Sequence, residues 1–165
     1  AIAAGIRHFI FSSTAVVCGN PTAIPIGETH PTAPINPYGR SKLMTEMMLA
    51  DTAEAHDFNF CALRYFNVAG ADPDLRTGQS TAGATHLIEV AVEAALGKRD
   101  YVAVYGTDYD AADGTGVRGE PSALVSENAS ILRELKWQPR YDDLETIIRH
   151  ALAWERKLSE MRTGR

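Results

Sequence analysis

The sequence is poor in three features that would indicate a membrane, nucleic-acid or metal-binding role. Its 165 residues include only two cysteines, no long apolar run, and fewer basic than acidic side chains, 16 against 21. A membrane-spanning helix needs about 20 consecutive apolar residues, and nucleic-acid binding proteins usually carry a clustered basic surface. We therefore expect no membrane partner and no nucleic-acid partner, although one basic pocket for a phosphorylated ligand is compatible with this charge.

The two cysteines, Cys18 and Cys61, both lie in apolar surroundings and have no metal-binding spacing. This pattern predicts two buried thiols in a reducing compartment and no metal site. Residues 1–5 lack the pattern of a signal peptide, so we expect a cytoplasmic protein. The same residues are typical of the last turn of a helix closing on a glycine, and with no initiator Met they lead us to expect that upstream sequence is missing.

The composition is that of an ordinary globular protein, 45% hydrophobic and 22% charged. Along the chain, predicted strands alternate with predicted helices. This alternation predicts an α/β fold, a parallel sheet with covering helices. The predicted strands are 8–11, which is buried and followed by Ser-Ser-Thr, then 59–67 and 101–105. The predicted helices are 38–56, 84–96 closed by Gly97, 127–135 and 142–158. Residues 19–37 contain five prolines and are predicted to be a loop.

The first long helix has an expected apolar face of Leu43, Met47 and Ala50, with Met44 and Met48 beside it. This helix opens with Tyr38-Gly39-Arg40-Ser41-Lys42.

Tyr38 and Lys42 are spaced i and i+4, which places them on one helix face, one turn apart. A free phenol has a pKa of about 10, and a nearby ammonium lowers the pKa of a phenol by favouring the phenolate. A Tyr acting as a base near neutral pH needs such a shift. Thr14, at the end of the first strand, is positioned to share the proton or to bond the reacting oxygen. By itself, however, the pair is also compatible with a surface helix carrying a chance Tyr and Lys.

Three further features make the pair more specific: the Ser-Ser-Thr strand end, the proline-rich loop, and a second strand ending in Asn67. Together they resemble the UDP-glucose 4-epimerase family of the extended short-chain dehydrogenase/reductase superfamily. The matching segments are Phe11-Ser12-Ser13-Thr14, Pro37-Tyr38-Gly39-Arg40-Ser41-Lys42, Leu63-Arg64-Tyr65-Phe66-Asn67-Val68-Ala69-Gly70-Ala71, Val104-Tyr105-Gly106-Thr107-Asp108-Tyr109, Asp113-Gly114-Thr115-Gly116-Val117-Arg118 and Leu135-Lys136-Trp137-Gln138-Pro139.

The resemblance implies a partial Rossmann-like sheet, with the second half of an NAD-binding domain in residues 1–73 and a truncated sugar-nucleotide-binding region in 74–165. It implies interconversion of UDP-glucose and UDP-galactose through a 4-keto sugar, with NAD as cofactor. It also implies a homodimer for the intact family.

The resemblance further implies a role for each matching residue. Tyr38, Lys42 and Thr14 would be catalytic, with Tyr38 as acid/base on the sugar 4-hydroxyl and Thr14 bonding the 4-oxygen. Tyr38, Lys42, Phe66 and Ser12 would bind the cofactor, and Thr14, Asn67, His86, Leu87, Tyr105 and Arg118 would bind the UDP-sugar. Packing roles are the alternative for Phe66, Asn67 and Tyr105, and a strand-end cap is the alternative for Thr14.

The sequence departs from the family in three places. The GxxGxxG turn that approaches the NAD pyrophosphate is absent, Cys18 replaces a usual Tyr, and the segment after Arg118 resembles one found much later in the family. We therefore expect an N-terminal truncation and an internal deletion, which makes the family equivalent of Arg118 ambiguous. We also expect poor NAD binding and little or no activity from this chain alone.

Two other functions are alternatives to that of an epimerase. Another NAD-dependent sugar-nucleotide enzyme of the same superfamily is one, but Ala15 and Val16 stand where dehydratases carry an acidic pair. A non-catalytic remnant is the other.

Overall fold

The computed structural model describes residues 1–103 and 125–164, which fall into two compact units. The described part of unit 1 is 1–66 and 125–135, and that of unit 2 is 67–103 and 136–164. The functional boundary expected after residue 73 stays a prediction.

Unit 1 is built on two parallel strands joined by a long helix. Strand β1 (His8–Thr14) pairs with β2 (Asn59–Tyr65) in the register His8 to Asn59 through Thr14 to Tyr65. Helix α1 (Pro37–Ala55) connects them and packs on one face of the sheet. A short 3-10 turn (Ala15–Cys18) follows β1, and helix α3 (Ala129–Glu134) also belongs to this unit. The predicted α/β class with a parallel sheet and a covering helix is thus confirmed.

The prediction of a buried β1 is right only for part of the strand, because among the described elements α1 covers one face of the sheet. Side chains alternate between the faces of a strand, and Ser13 on the covered face bonds Glu46 of α1. Ile10, on the other face, is 72% exposed, whereas Ser13 and Thr14 at the strand end are buried.

The helix α1 begins where local sequence signals place it. The Asn36 side chain accepts a hydrogen bond from Gly39 N at 2.8 Å, and Pro37 occupies the first turn. Asn at the cap satisfies a free amide, and Pro is pre-organised for the first helical position. The prediction of this helix over 38–56 is confirmed to within one residue.

The predicted apolar face of α1 is only partly right. Leu43 packs against the small core of unit 1, which is formed by Val17, Cys18 and Ile26. Met47 and Ala50 are exposed, as are Met44 and Met48. The inward positions are instead Gly39, Leu43 and Glu46. A charged residue takes an inward position because it finds a cationic partner there, which a hydrophobic pattern cannot show.

The two cysteines are free thiols. Cys18 is buried in the core of unit 1, as predicted, while Cys61 on β2 is only half-buried. Burial raises the pKa of the Cys18 thiol, partly countered by the charge of Arg64.

Unit 2 is a pair of packed helices holding an irregular loop. Helix α2 (Leu87–Ala95) packs on α4 (Leu144–Thr163). Three side chains of α4 donate to loop carbonyls, and these bonds anchor a segment that has no regular structure of its own. They join Trp154 Nε1 to Gln79 O at 2.7 Å, Lys157 Nζ to Leu75 O at 2.7 Å, and Arg162 Nη2 to Ser80 O at 3.0 Å.

The remaining element predictions have mixed outcomes. The helices predicted over 84–96, 127–135 and 142–158 are present with shifted bounds, as Leu87–Ala95, Ala129–Glu134 and Leu144–Thr163. Gly97, after α2, has the left-handed conformation at φ 68°. Residues 2–4 form a 3-10 turn ending on Gly5, also left-handed. The strand predicted over 101–105 is wrong for 101–103, which form no strand; 104 and 105 lie outside the described residues. No described helix is both long and apolar enough to cross a membrane.

Candidate active site

Lys42 lies between the phenol ring of Tyr38 and the end of β1. Its Nζ donates to the Ser12 carbonyl oxygen at 2.8 Å. The same atom is 5.7 Å from the ring centroid of Tyr38 and 5.1 Å from that of Phe11, within the range of cation–π attraction. Tyr38 is 54% exposed, so part of its side chain is open to a ligand. The structure therefore brings three predicted residues together, with the Lys42 ammonium beside the Ser12 carbonyl and the Tyr38 ring.

The start of α1 approaches the 3-10 turn closely because residue 39 is a glycine. A Cβ at Gly39 would lie 2.9 Å from the Val16 carbonyl oxygen and 2.9 Å from Cβ of Pro34. The glycine between Tyr38 and Arg40 thus sets how near the helix comes to the residues that follow Thr14.

Thr14 is buried at the end of β1 and caps the 3-10 turn. Its Oγ1 accepts a hydrogen bond from Val16 N at 3.3 Å. This is the structural role that the sequence offered as the alternative. A hydroxyl that accepts in this way keeps its own O–H to donate, so the cap leaves Thr14 chemically able to bond a ligand oxygen.

A buried ionic cluster behind Lys42 was missed in the sequence. Glu46, on the turn after Lys42, accepts from Ser13 Oγ and from Arg64, with Nε to Oε1 at 3.1 Å and Nη2 to Oε2 at 2.7 Å. Burial raises the pKa of Glu46, but the bonds from Arg64 and Ser13 together outweigh it, so the pKa is lowered. Two features of the sequence could have indicated this cluster. Glu46 follows Lys42 by four residues, and Arg64 is a charged residue inside an otherwise apolar strand segment.

Phe66 follows β2 and packs, half-buried, against the unit 1 core of Val17, Cys18 and Ile26. Packing, the alternative role for Phe66, therefore accounts for at least part of its side chain.

The next three candidate residues, Asn67, His86 and Leu87, belong to unit 2. Asn67 is the exposed first residue of unit 2. His86 occupies the N-cap position of α2 without a side-chain capping bond, and Leu87, the first helical residue, is 73% exposed. The helix therefore starts three residues after the predicted position 84, and His86 and Leu87 lie at its N-terminus. Tyr105 and Arg118 lie outside the described residues.

Comparison with known proteins gives the family. Residues 1–118 match the model of the NAD dependent epimerase/dehydratase family, so the chain belongs to that family. It is 40% identical to a UDP-glucose 4-epimerase of Azospirillum brasilense across 95% of this chain and 63% of the relative. It is 49% identical to a UDP-glucose 4-epimerase of Rhizobium meliloti (strain 1021) over 118 residues, 72% of this chain and 36% of the relative.

Solved structures share the fold. A UDP-glucose 4-epimerase from Stenotrophomonas maltophila with bound NAD and formylated UDP-arabinopyranose aligns with a TM-score of 0.90 at 26% identity, covering 96% of this chain and 66% of that one. A UDP-glucose 4-epimerase from Brucella ovis in complex with NAD aligns with a TM-score of 0.80 at 32% identity, covering 89% and 64%. The Rossmann-like expectation agrees with these neighbours.

The chain spans less than two thirds of the length of these relatives. The alignment with the Azospirillum enzyme covers 219 positions, more than the 165 residues of this chain. The relative therefore has internal residues with no counterpart here, as the expected deletion requires. The family match also ends at residue 118, where the sequence departs from the family pattern.

Proposed function

We propose that this chain carries the acid/base centre of a UDP-glucose 4-epimerase that interconverts UDP-glucose and UDP-galactose with NAD. The observation that carries the proposal is the placement of the Lys42 ammonium beside the exposed ring of Tyr38, where the Ser12 carbonyl holds it. Support comes from family membership and from relatives named UDP-glucose 4-epimerase.

The donors around Lys42 fit the nicotinamide ribose of NAD. An ammonium has three N–H donors, and among the described residues its recorded bond is the one to Ser12. The remaining donors suit ribose hydroxyls, and Phe66 is proposed to line the cofactor pocket. Bound NAD would take a hydride from C4 of the sugar and return it to the opposite face.

Tyr38 and Thr14 are proposed to act on the 4-oxygen of the sugar. Tyr38 removes the hydroxyl proton as the 4-keto sugar forms and returns it afterwards, while Lys42 stabilises the phenolate electrostatically. The Thr14 hydroxyl donates a hydrogen bond to the same oxygen.

The UDP part of the substrate is proposed to contact Asn67, His86, Leu87, Tyr105 and Arg118. A helix N-terminus such as that at His86 favours phosphate, and the Arg118 guanidinium would bind diphosphate through charge-assisted bonds. The Stenotrophomonas neighbour holds a UDP-sugar. We further propose a cytoplasmic role in galactose metabolism, with the domain boundary after residue 73, and a homodimer for the intact protein.

The test is conversion of UDP-galactose to UDP-glucose by the purified chain with added NAD, measured by chromatography over a long incubation. We expect slow turnover that depends on NAD and is lost in Tyr38→Phe and Lys42→Met. Tyr141→Phe, a change at a tyrosine of unit 2 whose ring packs edge-on against His150, is the matched control and should keep the turnover.

Two outcomes would count against the proposal. Turnover that survives Tyr38→Phe would remove Tyr38 from the acid/base role. A chain that is folded by circular dichroism but shows neither NAD binding nor UDP-sugar binding in calorimetry would be a non-catalytic remnant.

A further inference from the structure

Lys42 and Glu46 stand one helical turn apart on α1, yet the described residues show no ion pair between them. Lys42 Nζ donates to Ser12 O at 2.8 Å, whereas Glu46 accepts from Ser13 and Arg64. Opposite charges at i and i+4 of a helix ordinarily attract each other. The separation of this pair therefore needs a competing partner for one of the two charges.

Arg64 is the competing partner. It lies on β2 directly opposite Ser13 of β1, and its Nε and Nη2 reach Oε1 and Oε2 of Glu46 at 3.1 and 2.7 Å. The guanidinium fork matches a carboxylate in this two-bond geometry, which a lysine cannot reproduce. Glu46 is buried, so solvent screens the pair only weakly.

Other ionisable groups near Arg64 do not replace Glu46. Besides Glu46, the ionisable groups that influence Arg64 are Cys18 and Glu28, and among the described residues neither forms a hydrogen bond with it. Burial raises the pKa of the Cys18 thiol, which keeps it protonated at neutral pH. The hydrogen bond to Glu46 raises the pKa of Arg64 more than any other contact does. Glu46 is thus the carboxylate that Arg64 engages.

We propose that Arg64 is a positioning residue of the candidate active site: by occupying both oxygens of Glu46, it leaves the Lys42 ammonium beside Tyr38. This inference rests on the proposed function, because it assumes that Lys42 acts on Tyr38. Without Arg64, the Glu46 carboxylate captures Lys42 from one turn away and draws it from the Ser12 carbonyl and the phenol.

The ionised fraction of Tyr38 at about pH 9, below the usual pKa of a phenol, tests this inference without requiring turnover. This fraction is measured from the ultraviolet absorbance of tyrosinate. For each protein, the absorbance of the same protein carrying Tyr38→Phe is subtracted, which leaves the contribution of Tyr38. We expect Arg64→Met to lower this fraction roughly threefold or more, because the phenolate loses its neighbouring cation. Adding Glu46→Gln to Arg64→Met should restore it, because a neutral amide does not capture Lys42.

The single variant Glu46→Gln separates positioning from a structural role. It leaves no carboxylate to capture Lys42, so positioning predicts an unchanged ionised fraction of Tyr38. A purely structural pair instead predicts a loss like that of Arg64→Met, because either change leaves one partner unpaired, and such a loss contradicts the inference. Failure of the double variant to recover the ionised fraction overturns the inference. The variant Lys42→Met shows whether a negative result concerns the role of Arg64 or the proposed function itself. If Lys42→Met leaves the fraction unchanged, the pairing of Lys42 with Tyr38 is wrong. If it lowers the fraction while Arg64→Met does not, the proposed function stands and the role of Arg64 is wrong.

Circular dichroism checks that each variant folds. If Arg64→Met does not fold, Arg64→Lys with and without Glu46→Gln makes the same comparison. The expected loss is smaller, because one ammonium cannot bond both carboxylate oxygens as the fork does. A loss without rescue, or no loss at all, in that series contradicts the inference.

Discussion

The indole of Trp154 lies directly against the backbone of Gly78. A Cβ on Gly78 would fall 2.5 Å from both Cδ1 and Cγ of Trp154, while the Trp154 Nε1 donates to Gln79 O at 2.7 Å. The ring is buried, so it cannot retreat without breaking that hydrogen bond. This contact anchors the irregular loop of unit 2 to α4.

Gly78→Ala should therefore destabilise the chain. The added methyl must displace the indole or the loop, and overpacking of this kind typically costs about 1–3 kcal/mol of the free energy of unfolding. Urea denaturation measures the loss. Gly27→Ala is the control, since the nearest atom to a Cβ there is Glu127 Oε2 at 3.9 Å. Equal losses in both variants would contradict a specific clash at Gly78.

Lys98 neutralises a carboxylate buried within unit 2. Glu155 is 2% exposed, and Lys98 Nζ bonds both its Oε1 and its backbone carbonyl, the latter at 3.3 Å. Lys98→Met should lower the free energy of unfolding by about 3 kcal/mol, because it strands a buried charge. The double variant Lys98→Met/Glu155→Leu should recover most of that loss in thermal denaturation.

The surface pair of Arg149 and Glu145 on α4 serves as the control for Lys98. Both side chains are largely exposed and lie 2.7 Å apart, so Arg149→Met should change stability by under about 1 kcal/mol. A double variant at Lys98 and Glu155 that remains as unstable as Lys98→Met would show that packing, not charge, sets the effect.

Glu89 of α2 should make unit 2 more stable in acid. Burial, then the negative charge of Glu155, raises the pKa of Glu89. A carboxyl that binds its proton more tightly when folded stabilises the fold fully below its unfolded pKa. That contribution is lost as the pH rises through the folded value. Glu89→Gln mimics the protonated form and should stabilise the chain at about pH 7 more than at about pH 4.

Urea unfolding of Glu89→Gln and of the unchanged chain at both pH values checks this expectation. Glu46 titrates with the opposite sign, because its lowered pKa gives stability that is lost on acidification. It is present in both proteins, so the difference between them isolates Glu89. A gain of equal size at both pH values would contradict the raised pKa.

The cap of α1 gives a prediction at the start of the candidate active site. Asn36 Oδ1 accepts from Gly39 N at 2.8 Å, and Asn36→Ala should cost about 1 kcal/mol of stability. Asn36→Ser keeps a capping oxygen and should lose much less when both are compared by thermal denaturation. A serine variant as unstable as the alanine variant would indicate that the cap is not what Asn36 contributes.

Local signals predicted most elements of this fold, and nonlocal partners account for the errors. The cap at Asn36 and the left-handed Gly97 mark helix ends that involve only neighbouring residues. Met47 was placed inward because the pattern counts hydrophobicity alone. The inward residue is Glu46, whose partner Arg64 lies 18 residues away in the sequence.

In the candidate site, too, the features that depend on neighbouring residues are the ones that the sequence predicts. The Tyr38 and Lys42 spacing needs only helix geometry, so it could be read directly. The roles assigned to Asn67, His86 and Leu87 remain predictions, as do those of Tyr105 and Arg118, which lie outside the described residues.

The sequence by itself determined the family, the parallel α/β arrangement and the Tyr38–Lys42 spacing, because motifs and helical periodicity are properties of adjacent residues. Only the tertiary structure decided where the Lys42 ammonium goes. Its contact with the Ser12 carbonyl, and the engagement of Glu46 by Arg64 that keeps the two helix charges apart, depend on the register of two strands. Strand register arises when distant segments pair and bury their polar groups, and no local pattern in this chain records it.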